Sequence, residues 1–283
     1  MQPHPYFQLL LHTTGELERE LGERIVAREE MHLWPLSSVE SLTTSSGKRF
    51  VYKVQHEPTV EPEFYARAST PLLPPCKVLQ RDAQQAALLM PFLQAPTLHA
   101  RNLDAAGLLE RGREVLRQIA GIEGDLPLYK DLGTLEAWRA FSARTLDMLS
   151  ALVRSGVFVL VGQADLDFLG QWVNSPQVLA QVDQTSQLIH GDLTTEHVFV
   201  LDDGYRVIDW QRPYRGPGEI DLVTFLESEK IPAQDFLAPA VFGLRWFLFL
   251  DWAVEAKTNL LPDIPIFDHW ARNGIDHILS AAA

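Results

Sequence analysis

The first third of the chain carries short apolar runs separated by small polar residues. Residues 33–54 contain two such runs, and Ser45-Ser46-Gly47-Lys48 lies between them. Short alternating runs around a polar segment with glycine are typical of a β-hairpin, so two strands are predicted here. Further strands are predicted at 76–79 and 86–92, and helix-permissive segments occur at 15–30 and 61–67. This region is therefore predicted to be mostly sheet.

Beyond Ala95 the apolar spacing changes to the three- and four-residue period of helices. Alternation returns within 188–210, where Asp202-Asp203-Gly204 marks a hairpin turn. Helices are predicted at 103–119, 135–153 and 166–182, and again within 222–278. The pattern predicts an α+β protein of two lobes, with a small N-terminal antiparallel-sheet lobe over 1–92 and a larger, mainly helical lobe over 93–283.

The net charge of the chain indicates which classes of binding partner are expected. The 283 residues include 37 acidic and 24 basic side chains, for a formal net charge of −13. Such a field repels phosphate backbones and anionic lipid, so nucleic-acid and membrane partners are not expected, whereas a cationic small molecule would be attracted. The single Cys76 excludes an intrachain disulfide and indicates a reducing compartment. Because the first residues also lack the pattern of a signal peptide, the protein is expected in the cytoplasm.

Two acidic residues stand at the edges of the later hairpin. Asp192 follows a strand-like pair in His190-Gly191-Asp192, and Asp209 ends the second hairpin strand in Ile208-Asp209-Trp210. Folding the hairpin brings both carboxylates to the same end of it, which suggests a base and a metal ligand. On these residues alone, an acidic loop whose Asp side chains cap turns remains the alternative.

These two motifs, in this order and separation, resemble the catalytic loop of the aminoglycoside phosphotransferase and choline kinase group, small-molecule kinases with a protein-kinase-like fold. The resemblance implies that Asp192 accepts or orients the proton of an attacking hydroxyl, and that Asp209 binds the Mg²⁺ that bridges ATP phosphates. It also implies that Asp221 holds the backbone of the catalytic loop.

One position departs from that family, which usually has Asn five residues after the catalytic Asp. This chain has His197 there. Magnesium prefers oxygen ligands, whereas imidazole suits softer metals. Four outcomes are open: one metal in place of two, Mn²⁺ in place of Mg²⁺, weakened catalysis, or a hydrogen bond that orients the loop. His197 is therefore a candidate metal ligand beside Asp209.

The resemblance also implies a lysine and an acidic partner in the sheet lobe to hold the phosphates. Lys53 lies in a predicted strand, on a face where a charge points towards a cleft or water. Glu63 or Glu61 would pair with Lys53, and Glu63 is preferred because Glu61 precedes a proline at the helix start. No glycine-rich phosphate loop is present, and residues 36–41, rich in serine, take its place.

The strand that ends in Met90-Pro91-Phe92-Leu93 resembles the segment that leads to the adenine-binding hinge of the family. Pro91 has no N–H, so Phe92 or Leu93 is the expected backbone donor to adenine. For the acceptor, the C-terminal helices offer aromatic and acidic side chains that suit a cationic amine, although packing in a helix interior is the preferred explanation of the aromatic ones. These residues are Trp246, Asp251, Trp252 and Glu255.

Together these features predict an ATP-dependent phosphotransferase that moves the γ-phosphoryl group to a hydroxyl of a small molecule, such as an aminoglycoside, an amino alcohol or a sugar. A nucleotide-binding pseudokinase or regulatory module is the main alternative, because His197 and the missing glycine loop weaken the catalytic pattern. A metal hydrolase with His190, Asp192, His197 and Asp209 as ligands is a further alternative. The sequence does not indicate an oligomeric state.

Overall fold

The computed structural model describes residues 1–82, 84–184 and 186–282 and confirms the α+β class. The chain divides into two compact units. The first comprises Met1–Arg101, Ile122–Tyr129 and Glu196–Arg212, and the second comprises Asn102–Gly121, Lys130–Thr195 and Pro213–Ala283. The later hairpin therefore belongs to the first unit, and the domain boundary predicted between residues 92 and 93 stays a prediction.

The elements are numbered in chain order. The strands are β1 Gln2–Pro3, β2 Leu10–Leu11, β3 Ile25–Trp34, β4 Ser37–Thr44, β5 Arg49–His56, β6 Lys77–Arg81, β7 Gln85–Pro91, β8 Lys130–Asp131, β9 Ser186–Ile189, β10 Val198–Leu201, β11 Gly204–Val207 and β12 Tyr214–Pro217. The α-helices are α1 Thr14–Leu21, α2 Glu61–Arg67, α3 Ala105–Ala120, α4 Leu135–Arg154, α5 Gln163–Trp172, α6 Pro176–Val182, α7 Ile220–Glu227, α8 Pro239–Glu255 and α9 Ile266–Ala282.

A five-stranded antiparallel sheet in the order β3-β4-β5-β7-β6 forms the centre of the first unit. The predicted hairpin turn between β4 and β5 is confirmed, and Thr44 N–H donates to the Lys48 carbonyl across it at 2.9 Å. Side chains alternate between the two faces of β5. Tyr52 and Val54 join the hydrophobic core with Leu17 of α1, so Lys53 lies on the opposite face.

Two predicted helices are shorter in the structure than in the sequence pattern. The segment 15–30 is helical only to the end of α1, because Gly22 adopts the left-handed conformation (φ 66°) that terminates a helix, and β3 follows. The segment 166–182 is divided into α5 and α6, since Pro176 lacks the N–H that a continuous helix needs and Ser175 caps the new helix.

Helix α2 packs against the β10–β11 hairpin within the first unit. The Phe64 ring stacks on the fully buried Trp210 ring with centroids 4.3 Å apart and an interplanar angle of 10°. The Val60 N–H also donates to the Gln211 carbonyl at 3.3 Å. These contacts hold the segment around Asp209 beside the N-terminus of α2.

The second unit is mainly helical and contains a small sheet in the order β8-β12-β9. Helix α8 supplies its core, where Phe247 lies among the aromatic rings of Trp138, Phe141 and Trp172. Helix α8 lies within the predicted helical segment 222–278, and most of its residues are buried. Within residues 1–82, 84–184 and 186–282, no helix combines the length and apolar character needed to cross a membrane.

Candidate active site

Lys53 lies at the centre of a buried ionic cluster in the first unit. Its Nζ donates to Glu61 Oε2 at 2.7 Å and to Asp209 Oδ1 at 2.5 Å. The Lys53 residue is 6% exposed and Glu61 is fully buried. Gln55, two residues along β5 and on the same face, also donates to Glu61 Oε2 at 2.8 Å. One ammonium therefore joins two carboxylates from distant parts of the chain.

The preferred pairing of Lys53 with Glu63 is wrong, because Glu61 makes this contact. Glu61 is the first residue of α2, is fully buried, and accepts hydrogen bonds from Lys53 and Gln55 of β5. Successive helical residues are rotated by about 100°, so Glu63 faces away from Glu61. The Glu63 carboxylate instead contacts Arg81. Pro62 is compatible with a pairing residue at the helix start, because the first helical turn needs no N–H at that position.

Asp209 has an unusual backbone conformation. Its φ is +72°, in the left-handed region where residues other than glycine are uncommon. Such strain costs about 1 to 3 kcal/mol and clusters at functional sites. The two carboxylate oxygens of Asp209 have different neighbours: Oδ1 accepts from Lys53 Nζ at 2.5 Å and from Gln211 Nε2 at 2.7 Å, while Oδ2 lies 3.7 Å from His197 Nε2.

The cluster has an excess of negative charge. Burial lowers the pKa of Lys53, but the carboxylates of Asp209 and Glu61 outweigh this effect, and the pKa is raised above its ordinary value. Burial raises the pKa of Glu61 despite the nearby ammonium. Because one cation faces two acids, an additional positive ion near Asp209 would be favoured.

The residues around Asp209 fit a divalent cation that also binds phosphates. Magnesium in phosphoryl-transfer sites takes one or two protein ligands and completes its shell with phosphate and water oxygens. Asp209 supplies a carboxylate oxygen, and His197 supplies a nitrogen on the same side. Among the described residues, no group of three or more His, Cys, Asp or Glu side chains lies close enough together to hold a metal ion.

The His190-Gly191-Asp192 segment of the second unit is held by Asp221, in the first turn of α7. Asp221 accepts from the His190 N–H at 2.5 Å and from the Gly191 N–H at 2.8 Å. Gly191 has φ +88°, a conformation that brings both donors towards one carboxylate. The predicted backbone-holding role of Asp221 is therefore confirmed.

Asp221 is 1% exposed, and burial raises its pKa to about 7, while the two N–H donors act in the opposite direction. Asp192 itself is exposed, whereas Leu193 beside it is buried. The backbone of this loop is thus held by Asp221, and Asp192 is an exposed residue on it.

The structure limits the candidates for the adenine donor. The Phe92 N–H donates to the Arg49 carbonyl at 3.0 Å as a continuation of the sheet. Phe92 is therefore not free to donate to a nucleotide in this conformation, and the expectation for it needs correction. Leu93 lies beyond the last residue of β7 and is the remaining candidate.

The serine-rich segment 36–41 does not form a nest-like turn. Ser37 and Ser41 are buried within β4, paired with Gln55 and Val51 of β5. Their N–H groups lie in a strand with neighbours on both sides, so this segment does not form a phosphate loop. The turn before β4 consists of Pro35 and Leu36.

The acidic residues of α8 already have a cationic partner. Lys130 Nζ contacts Asp251 Oδ2 and lies 2.8 Å from Glu255 Oε2, and Thr145 Oγ1 donates to Asp251 Oδ1 at 2.7 Å. Asp251 is 1% exposed. Lys130 and Thr145 therefore already provide partners for the buried Asp251 carboxylate, one of the acidic side chains considered for a cationic amine.

Sequence reasoning missed three residues that the structure places in these clusters: Gln55, Gln211 and Lys130. Gln55 was detectable, since strand alternation puts it on the same face as Lys53. Gln211 and Lys130 carried no such signal, because Gln211 lies in a loop and Lys130 is in a two-residue strand whose partners on α8 are more than 100 positions away.

The model of the phosphotransferase enzyme family (APH) matches residues 42–254. No curated protein sequence matches the chain.

Similar solved structures show the same fold. A thermostable mutant of the aminoglycoside phosphotransferase APH(4)-Ia, in a ternary complex with ADP and hygromycin B, superposes with a TM-score of 0.61 at 17% identity, over 96% of this chain and 99% of that one. A choline/ethanolamine kinase family protein from Mesorhizobium loti gives a TM-score of 0.60 at 15% identity, over 90% and 87%. A spectinomycin phosphotransferase, in complex with ADP and spectinomycin, gives 0.54 at 12% identity, over 96% and 99%.

Proposed function

This chain belongs to the phosphotransferase enzyme family and is a small-molecule kinase, and from that premise we propose that it transfers the γ-phosphoryl group of ATP to a hydroxyl of a small molecule. The observation that carries the proposal is the contact of Lys53 Nζ with both Glu61 and Asp209. A buried ammonium fixed between two carboxylates is suited to hold phosphate oxygens in a defined position.

In this proposal Lys53 binds the triphosphate, and Glu61 fixes the direction of its ammonium. Asp209 and His197 hold a divalent ion, which neutralises charge on the phosphates when bound. Gln211 orients Asp209 through its hydrogen bond to Oδ1. The Leu93 N–H, two residues after the end of β7, is assigned to the adenine as a backbone donor.

Asp192 is assigned to the acceptor. Its carboxylate accepts or orients the proton of the attacking hydroxyl, whose oxygen forms a bond to the γ-phosphorus while the bond to the β–γ bridging oxygen breaks and ADP leaves. Asp221 acts through the backbone N–H groups of His190 and Gly191 and is a positioning residue.

Two observations support the choice of acceptor class: the small molecules in similar structures, and the net charge of −13, which would attract a cationic molecule. The similar structures contain hygromycin B or spectinomycin, which carry hydroxyl groups. We therefore assign a hydroxyl-bearing small molecule, with aminoglycosides, amino alcohols and sugars as the classes to test. ATP as donor fits a cytoplasmic location, which the single cysteine also predicts.

The test is a coupled ADP-release screen over aminoglycosides, amino alcohols, sugars and nucleosides, run with Mg²⁺ and with Mn²⁺. We expect release that depends on one acceptor class and exceeds the rate without acceptor. ATP binding without any acceptor-dependent release over these classes would favour the pseudokinase alternative instead.

A further inference from the structure

The two oxygens of the Asp209 carboxylate have different neighbours. Oδ1 accepts from two nitrogen donors, Lys53 Nζ at 2.5 Å and Gln211 Nε2 at 2.7 Å. Oδ2 lies on the other side, 3.7 Å from His197 Nε2. That separation is too long for a direct hydrogen bond between these two atoms. The pair therefore leaves room for a third atom between the carboxylate and the imidazole.

The hairpin fixes the relative position of these side chains. His197 immediately precedes β10. Asp209 is the second residue after β11, and Ile208 lies between them. Val198 and Val207 are paired in the ladder, and the Ile208 N–H donates to the His197 carbonyl at 3.1 Å. Both side chains are partly exposed, 20% for His197 and 28% for Asp209, so an ion from solvent can reach them.

The distance suits two ligands of one ion. Donors that each lie about 2.1 Å from an octahedral ion are about 3.0 Å apart when adjacent and about 4.2 Å apart when opposite. The observed 3.7 Å lies between these limits. A small closing movement of either side chain is enough to place Nε2 and Oδ2 on adjacent positions.

We propose that His197 and Asp209 form a mixed nitrogen and oxygen ligand pair that makes this site prefer first-row transition ions over Mg²⁺. The inference rests on the proposed function, which places a divalent ion at Asp209. An imidazole ligand adds little to the binding of Mg²⁺. The affinity of nitrogen ligands for first-row transition ions, by contrast, increases from Mn²⁺ to Co²⁺. The cofactor of this chain is then a transition ion bound together with the nucleotide, and Mg²⁺ is the weaker substitute.

The test compares binding of Mn²⁺, Co²⁺ and Mg²⁺ by the whole protein in the presence of AMP-PNP, by calorimetry. In the His197→Asn variant we expect Co²⁺ affinity to fall by about tenfold or more and Mn²⁺ affinity to fall less, with Mg²⁺ affinity within about twofold of the original. His32→Asn makes the same chemical change at an exposed position of β3 and should alter none of the three affinities.

A second measurement does not depend on a variant. Spin-echo EPR of Mn²⁺ bound to the unaltered protein with AMP-PNP should show coupling to an imidazole nitrogen. Absence of that coupling, or equal losses for all three ions in His197→Asn, would overturn the inference and leave phosphoryl transfer unaffected. Failure to bind AMP-PNP with any of the three ions would contradict the proposed function, and this inference with it.

Discussion

Lys53 of β5 and Asp209 after β11 are 156 positions apart in the chain, yet their charged atoms are 2.5 Å apart. Two connections produce this contact. Strand alternation directs Lys53 away from the core that contains Tyr52, and the stacking of Phe64 on Trp210 holds the Asp209 segment against α2. Glu61 completes the cluster from the first turn of that helix.

Replacing Lys53 with Met should remove nucleotide binding and also destabilise the first unit. The change leaves Glu61 buried without its cation, and breaking a buried pair in this way costs about 3 to 5 kcal/mol of the free energy of unfolding. Urea unfolding and calorimetry with AMP-PNP measure the two effects. Lys48→Met, at a position whose side chain is 64% exposed, is the matched control and should change neither. Nucleotide affinity preserved in a folded Lys53→Met protein would contradict the assignment.

The identity of the acidic partner is testable with two isosteric variants. Glu61→Gln removes the charge that fixes Lys53, so we expect the KM for ATP to rise by about tenfold or more. Glu63→Gln removes only the contact with Arg81 and should keep the KM within about twofold. Steady-state kinetics with the acceptor found in the screen decides between them. The opposite ranking would restore the pairing first expected from the sequence.

Asp221 should make stability depend on pH. Burial raises its folded-state pKa to about 7 from an ordinary value of 3.8, so between these values the folded protein binds more protons than the unfolded chain. Stability from this group is therefore greatest at low pH and falls as pH rises to about 7, by roughly 2 kcal/mol between pH 5 and pH 8.

Denaturant unfolding at both pH values should show this loss as a difference between the unaltered protein and Asp221→Asn. The exposed Asp147→Asn on α4 is the control and should keep the pH dependence of the unaltered protein. Identical pH profiles for the unaltered protein and Asp221→Asn would show that Asp221 titrates normally.

The packing of α3 against α7 depends on a glycine. A Cβ added at Gly112 would lie 2.6 Å from Leu222 Cδ1 and 3.0 Å from Phe225 Cδ1. Gly112→Ala should therefore destabilise the second unit by about 1 to 3 kcal/mol. Gly170→Ala on α5 meets no atom within 4 Å and should stabilise the protein by about 0.5 to 1 kcal/mol. Thermal unfolding of both variants provides the comparison, and equal shifts would contradict the packing account.

Local patterns predicted much of the fold. The hairpin turn at Ser45 to Lys48 and the bounds of α2 follow from residues that are close in sequence. The first residues of β3 were not predicted as a strand, because charged and apolar residues alternate only weakly there. In the structure most of these charged residues are exposed, at the edge of the sheet. The three-stranded sheet of β8, β12 and β9 joins segments too short to show a period.

The sequence predicted most residues of the candidate site, but it predicted fewer of the contacts between them. Motifs identified Lys53, Asp192 and Asp209, and the structure brings Lys53 and Asp209 together. The choice of Glu61 over Glu63 depended on the orientation of the first turn of α2, which a nearby proline obscured. The sequence also did not show that the Phe92 N–H forms a hydrogen bond within the sheet, because this depends on how far the strand pairing extends.

The central claim is tested most directly by phosphoryl transfer in Asp192→Asn. The variant keeps the shape of the exposed side chain, while Asp221 still holds the loop backbone. With the acceptor found in the screen, we expect turnover to fall by about 10² to 10⁴-fold and AMP-PNP affinity to stay within about twofold. Glu196→Gln, at an exposed acid four residues further along the chain, should keep normal turnover. Turnover of Asp192→Asn within about twofold of the original protein would contradict the account.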